Sequence, residues 1–205
     1  PVRLPETAES GGSETPTARE DPPVVLTVAR IERQKNFDTL LTAIRILKSE
    51  RGSSGRKFRY VVAGGGPLLA HFRTRSRGLG IDDVVAFTGS VPHGRIRELY
   101  ERSDFIVHIP LDEPFGLVPL EAALCGKAGV VSDHGGPAEV VVDGVTGLHV
   151  DALDPAAVAG KIGHLLDHPE AAVRMGENAR SRVMERYSWE GFVDAFEAEM
   201  KRVIL

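Results

Sequence analysis

From Val24 onward, short β-rich runs alternate with segments of helical period, and this alternation narrows the fold more than any other feature of the chain. Val24 to Val28 is a run suited to a buried parallel strand. Phe37, Leu40, Leu41, Ile44 and Leu47 then recur at helical spacing, with Asn36 standing where an N-cap belongs. Further strand runs follow at Phe58 to Ala63, Val84 to Phe87, Phe105 to Ile109, Gly129 to Ser132 and Leu148 to Val150. Helical stretches lie between them: after Gly64-Gly65-Gly66-Pro67 to about Leu79, from Pro92 to Arg102, from Phe115-Gly116-Leu117 onward, and near Glu139 after a Gly135-Gly136-Pro137 turn. Six strands with helical connections form a βαβ array. The expected fold is therefore α/β, a Rossmann-like six-stranded parallel sheet with helices on both faces. Past the sheet the pattern is wholly helical, with starts at Asp154-Pro155 and Ser188-Trp189 and a break at His168-Pro169. These extra C-terminal helices should pack over the outside of the sheet.

The 205 residues have room for one such domain. Residues 1–22 are rich in Pro, Ser, Thr, Glu and Gly and read as a flexible linker or tail, leaving 23–205 as the folded domain. The net charge of −4 is concentrated at the start, where residues 1–23 hold two arginines against five acids. A nearly neutral body has no electrostatic footprint for nucleic acid, and no apolar run approaches the ~20 residues of a membrane span. A single cysteine, Cys125, rules out an internal disulfide and a thiolate metal site and suits a reducing, cytoplasmic setting. The chain begins at Pro1 and not at a methionine, so the natural N-terminus is expected upstream.

Ligands of a parallel α/β sheet bind at the carboxyl ends of the strands, where helix N-termini offer free N–H groups and partial positive charge to an anion. The richest such turn follows Phe105 to Ile109: Glu113 precedes a helix start that has Pro119 in its first turn, and Glu121 lies inside that helix. N–H donors for phosphate beside carboxylates for hydroxyls suit a ligand that is part phosphate and part sugar. In the turn after the first strand, Arg30 follows the strand and Lys35 precedes a helix, which puts two cations on the same edge. Solvated surface cations are the plainer alternative for that turn alone. The Gly64-Gly65-Gly66 cluster reads at least as a tight turn, and the first turn lacks any glycine, which argues against a dinucleotide fingerprint. His108 reads as a satisfied core histidine, Cys125 as packing, and His134 as a loop histidine with a ligand contact left open.

Glu113-Pro114-Phe115-Gly116-Leu117-Val118-Pro119-Leu120-Glu121-Ala122 resembles the EX7E signature of retaining GT-B glycosyltransferases of the family 4, group 1 type. Further matches run in order: the Arg30 and Lys35 turn, the glycine cluster ending in Pro67, Phe87-Thr88-Gly89, Ser103-Asp104, Cys125-Gly126-Lys127, Ser132-Asp133 with Gly135-Gly136 and Glu139, Asp143-Gly144 with Thr146-Gly147, and Ser188-Trp189. The resemblance implies the C-terminal half of a GT-B fold, a nucleotide-sugar (donor) binding domain over 23–205. It implies that Arg30 and Lys35 bind the diphosphate with the N–H groups of Leu117 and Val118, next to Phe115 and Gly116. Glu121 would hold the ribose, Glu113 would touch the transferred sugar, Val91 and its neighbours Ser90 to Arg95 would line the base, and Gly65 would be among the donor-binding residues. The donor would be a UDP-, GDP- or ADP-sugar, with no cofactor and no metal, and no DxD is present. The reaction would be hexosyl transfer with retention. The missing N-terminal half would hold the acceptor and make any membrane contact, and the isolated domain would be inactive. A nucleotide-sugar epimerase half and a non-catalytic binding module are the alternatives. Two departures stand out: Ala29 replaces a frequent glycine, and Ala128-Gly129 replaces Pro-Val, which would loosen the fifth strand.

Overall fold

The computed structural model describes residues 22–52 and 57–186. Within them, β1 (Val24–Val28), β2 (Arg59–Ala63), β3 (Val85–Gly89), β4 (Phe105–His108), β5 (Gly129–Ser132) and β6 (Gly147–Val150) form one sheet in the order β3-β2-β1-β4-β5-β6. Every strand pairing is parallel. The connections are α1 (Phe37–Arg51), α2 (Leu69–Gly78), α3 (His93–Arg102), α4 (Leu117–Leu124) and α5 (Gly135–Val140), followed by α6 (Pro155–Asp167) and α7 (Pro169–Arg186). This is the six-stranded α/β architecture that the alternating sequence implies. Most of the tail, 1–21, and the Ser188-Trp189 start lie outside the described residues.

Strand residues alternate between two cores, as a period of two requires. Val25, Phe105, Val107 and Val130 pack with α1, α2 and α6. Leu26 and Ile106 pack on the opposite face with Tyr100 of α3 and Ala122 of α4. Early in α7, Ala172 and Met175 join the first core, while Ala179 and Val183 further along pack against Ala123 of α4. The last helix therefore joins both layers. Ala128-Gly129 does not loosen β5: all four of its residues are buried, and the Ile106 amide donates to the Ala128 carbonyl at 2.9 Å.

Asn36 holds the N-cap position of α1, where its carbonyl accepts from the Leu40 amide at 3.2 Å, but its side chain does not cap the helix. It occupies the left-handed region at φ 57°, ψ 39°, between a short 3-10 turn over Arg33–Lys35 and α1. Its Nδ2 instead donates to the carbonyls of Ile109 at 3.2 Å and Ala152 at 2.6 Å. The reversal from the 3-10 turn into α1 demands positive φ, which asparagine tolerates better than most side chains. Asn36→Ala should lower unfolding free energy by about 2–3 kcal/mol, from two lost buried hydrogen bonds and a poorer left-handed residue. Urea titration of the two proteins measures the difference, and an unchanged midpoint would contradict this account of the turn.

Candidate functional site

Strand order reverses between β1 and β4, and a crevice opens at such a switch point in α/β sheets. The turns leaving these two strands are laced together by the Leu111 amide, which donates to the Gln34 carbonyl at 2.8 Å, and by Asn36 to Ile109. That lacing places Lys35 against Glu113, with Nζ 2.6 Å from Oε2 and the side chains 15% and 17% exposed. The His108 ring beside it, then the Lys35 ammonium, hold the Glu113 carboxyl down to about 2 against the opposing effect of burial. Burial pushes the His108 ring below its usual value, so the ring is neutral. His108 is buried but not satisfied: its Nε2 has no hydrogen-bond partner among the described residues and lies 3.8 Å from Glu113 Oε2. The sequence reading of a satisfied core histidine is thus corrected, because β4 ends by aiming this nitrogen at a carboxylate that lysine already occupies.

A depressed folded value stabilises the fold above the unfolded value, and that contribution fades as pH falls toward the folded one. For Glu113 the window runs from 4.5 down to about 2. Glu113→Gln should therefore flatten the decline of melting temperature across that window. Identical slopes for the two proteins would contradict the depressed carboxyl.

The turns after β1, β2 and β3 meet through glycine. A Cβ on Gly64, at φ 149°, would collide with the Ala29 carbonyl, one on Gly66, at φ 157°, with Ile31, and one on Gly65 with Ser90. The cluster is thus more than a tight turn, since it allows backbone to lie against backbone. Between these turns and the start of α4 opens a cleft of about 730 Å³; of the expected site residues Arg30, Gly65, Val91 and Val118 line it, and Lys35, Glu113, Phe115, Gly116, Leu117 and Glu121 do not. Ser90, also expected there, lines it as well, and so does Ile96, which had no signal beyond helical spacing. Arg30 is 72% exposed, with Nε 3.6 Å from Glu32. Arg95 does not line this cleft: its guanidinium turns along α3 to Glu98 at 2.9 Å.

Gly116, at φ 66°, turns the chain into α4, whose N-terminus no side chain caps. The N–H groups of Leu117 and Val118 therefore open the helix, with Pro119 behind them. Phe115, 73% exposed, and Leu117 stand at the surface. Gly135 and Gly136 do not precede α5 as a separate turn but form its first residues, against the Glu113 loop. The Gly136 amide donates to the Glu113 carbonyl at 2.7 Å, and a Cβ on Gly136 would lie 2.5 Å from the Phe115 carbonyl carbon. His134 fastens the same loop, with Nδ1 2.9 Å from Asp133 and Nε2 3.3 Å from the Leu111 carbonyl. Both ring nitrogens face acceptors, and the Asp133 carboxylate leads in raising the ring's pKa. Glu121 lies within α4 and accepts the Tyr100 hydroxyl at 3.0 Å. A buried tyrosine needs a partner for its hydroxyl, but its pairing with a residue 21 positions away was not legible in the sequence.

Arginine, lysine, two carboxylates and an uncapped helix start thus share the carboxyl edge of one sheet. A family profile described as glycosyl transferases group 1 matches residues 13–182. The chain belongs to that family. This group 1 chain is 37% identical over 174 residues to D-inositol 3-phosphate glycosyltransferase 2 of Catenulispora acidiphila, an alignment covering 82% of it and 40% of the relative. It is 31% identical over 177 residues to the GDP-mannose-dependent alpha-(1-6)-phosphatidylinositol monomannoside mannosyltransferase of Mycolicibacterium smegmatis, covering 82% and 45% respectively. Its fold matches sucrose-phosphate synthase from Thermosynechococcus elongatus at TM-score 0.76 and 27% identity, over 89% of this chain and 45% of the synthase. The group 1 chain therefore spans less than half the length of each of these relatives. Among its described residues, no helix is long and apolar enough to cross a membrane.

Proposed function

We propose that residues 23–205 are the donor-binding half of a glycosyltransferase that moves a hexosyl group from a UDP-, GDP- or ADP-sugar to an acceptor hydroxyl with retention. Residues 1–22 act as the linker to an acceptor-binding half, without which the chain is inactive, and any membrane contact belongs to that other half. The observation that supports this most is the meeting of Lys35 and Glu113 at 2.6 Å on the same sheet edge as the cleft-lining Arg30 and Val118 and the uncapped start of α4. A sugar diphosphate needs cationic and N–H groups at its phosphates and acidic groups at its hydroxyls, in that relative order.

Negative charge builds on the leaving diphosphate as the glycosidic bond breaks. Lys35, Arg30 and the Leu117 and Val118 amides are donors fixed before reaction, so the charge is met without reorganisation. They supply the positive charge that a metal would otherwise bring, which makes the reaction metal-independent. Glu121, steadied by Tyr100, accepts from the ribose hydroxyls. Glu113 accepts from the transferred sugar. Gly65 and Val91 flank the base, and Arg95, engaged with Glu98, has no part in it.

Calorimetry of the chain with UDP, GDP and ADP, each with and without magnesium, tests the binding site. One of the three should bind with an affinity that magnesium leaves unchanged. Absence of binding by all three would overturn the reading, and a magnesium requirement would overturn metal independence. Product analysis with labelled donor and the full-length protein distinguishes transfer from epimerisation.

A further inference from the structure

His108 closes β4, the strand beside β1 at the switch point, and its side chain is 3% exposed. Its Nε2 is a buried polar atom without a hydrogen-bond partner among the described residues. Buried polar atoms are almost always paired, so one that is not calls for a physical reason. The nitrogen lies 3.8 Å from Glu113 Oε2, the same oxygen that Lys35 Nζ holds at 2.6 Å. Two donors thus face one carboxylate oxygen, and only lysine is within bonding distance. A shift of about 1 Å would bring the imidazole N–H to ordinary hydrogen-bond length.

The donor-site reading asks two things of Lys35 and Glu113 at once. Lys35 has to turn its ammonium to a diphosphate, while Glu113 has to stay ionised and aimed at a sugar. A largely buried carboxylate that loses its lysine would take up a proton or swing toward water. We propose that His108 is a positioning residue for Glu113, its Nε2–H taking over the carboxylate as Lys35 swings to the diphosphate. The contact uses a neutral ring and adds no charge at the sugar. The trigger rests on the donor-site reading; the capacity of His108 to replace Lys35 does not.

The two parts separate experimentally. In Lys35→Met, without any nucleotide, nitrogen-15 and proton spectra of the histidine rings should show the His108 Nε2–H proton moving downfield as Glu113 turns to it. An unmoved resonance overturns the proposal. Adding UDP, GDP or ADP to the wild-type chain should produce the same displacement with whichever binds. If one binds and the resonance stays put, the handover is wrong while the donor site stands. If none binds, the donor site falls with the handover, and the methionine variant still judges the His108–Glu113 contact. Thermal melts of Lys35→Met, His108→Phe and the double variant give an independent arm. The double variant should melt lower than the sum of the single effects by about 3 °C or more, because Glu113 then has neither partner. With His108→Gln, whose amide nitrogen reaches the same place, the excess should shrink; additivity in the phenylalanine series, or no recovery with glutamine, contradicts the proposal.

Discussion

Alanine at Lys35 is expected to lower turnover of the full-length transferase by about 100-fold or more, the scale seen when one preorganised donor to developing charge is removed. The ammonium sits at the switch point, 15% exposed, on a turn fixed by the Leu111 to Gln34 and Asn36 to Ile109 hydrogen bonds. A charge held this way is not screened as a surface cation is. Arg30, proposed for the same phosphates, is 72% exposed, so Arg30→Ala should cost less. The measurement is steady-state turnover of each variant under saturating donor, with circular dichroism to show that the fold persists. Turnover at the wild-type level in Lys35→Ala would remove lysine from the mechanism.

Gly136→Ala should lower stability by about 2–4 kcal/mol, since added bulk in a packed contact costs about 1–3 and here the opposing atoms are backbone. The new Cβ would lie 2.5 Å from the Phe115 carbonyl carbon and 2.6 Å from the Phe115 nitrogen, and neither can turn aside as a side-chain tip would. Relief requires the Glu113 loop to lift from α5, breaking the Gly136 to Glu113 hydrogen bond of 2.7 Å. The variant should therefore lose nucleotide affinity together with stability. Gly160→Ala in α6 is the opposite case: nothing lies within 4 Å of its Cβ position, and the helix should gain about 0.5–1 kcal/mol. Denaturant midpoints of the two variants moving in opposite directions would support the packing account; a harmless Gly136→Ala would refute it.

The strands were legible because burial on both faces leaves continuous β-branched runs. Val24 to Val28 and Gly129 to Ser132 agree with β1 and β5 at both ends. Their order was not legible, since it is decided by which helix covers which face. The position of Lys35 and Glu113 on one edge followed from the rule that such turns share the strands' carboxyl ends. Their 2.6 Å contact depends on the reversal at Asn36, whose place at the start of α1 the sequence shows but whose left-handed backbone it does not. Helix or strand periodicity records burial but not the polar partner, so neither the pairing of Tyr100 with Glu121, 21 positions away, nor the facing of His108 Nε2 and Glu113 across the turn after β4 was legible. Arg95 misled in the opposite way, being near the right turn but paired along its own helix with Glu98. Gly136 owes its identity to the loop it touches, and Gly135 to that loop and to its own left-handed backbone at φ 68°.

A crystal structure of the chain with its bound nucleoside diphosphate addresses the whole account at once. The phosphates should lie in hydrogen-bond contact with Lys35 and the amides of Leu117 and Val118, with the ribose at Glu121 and the base toward Val91. Phosphates seated away from Lys35 and from the first turn of α4 would contradict it.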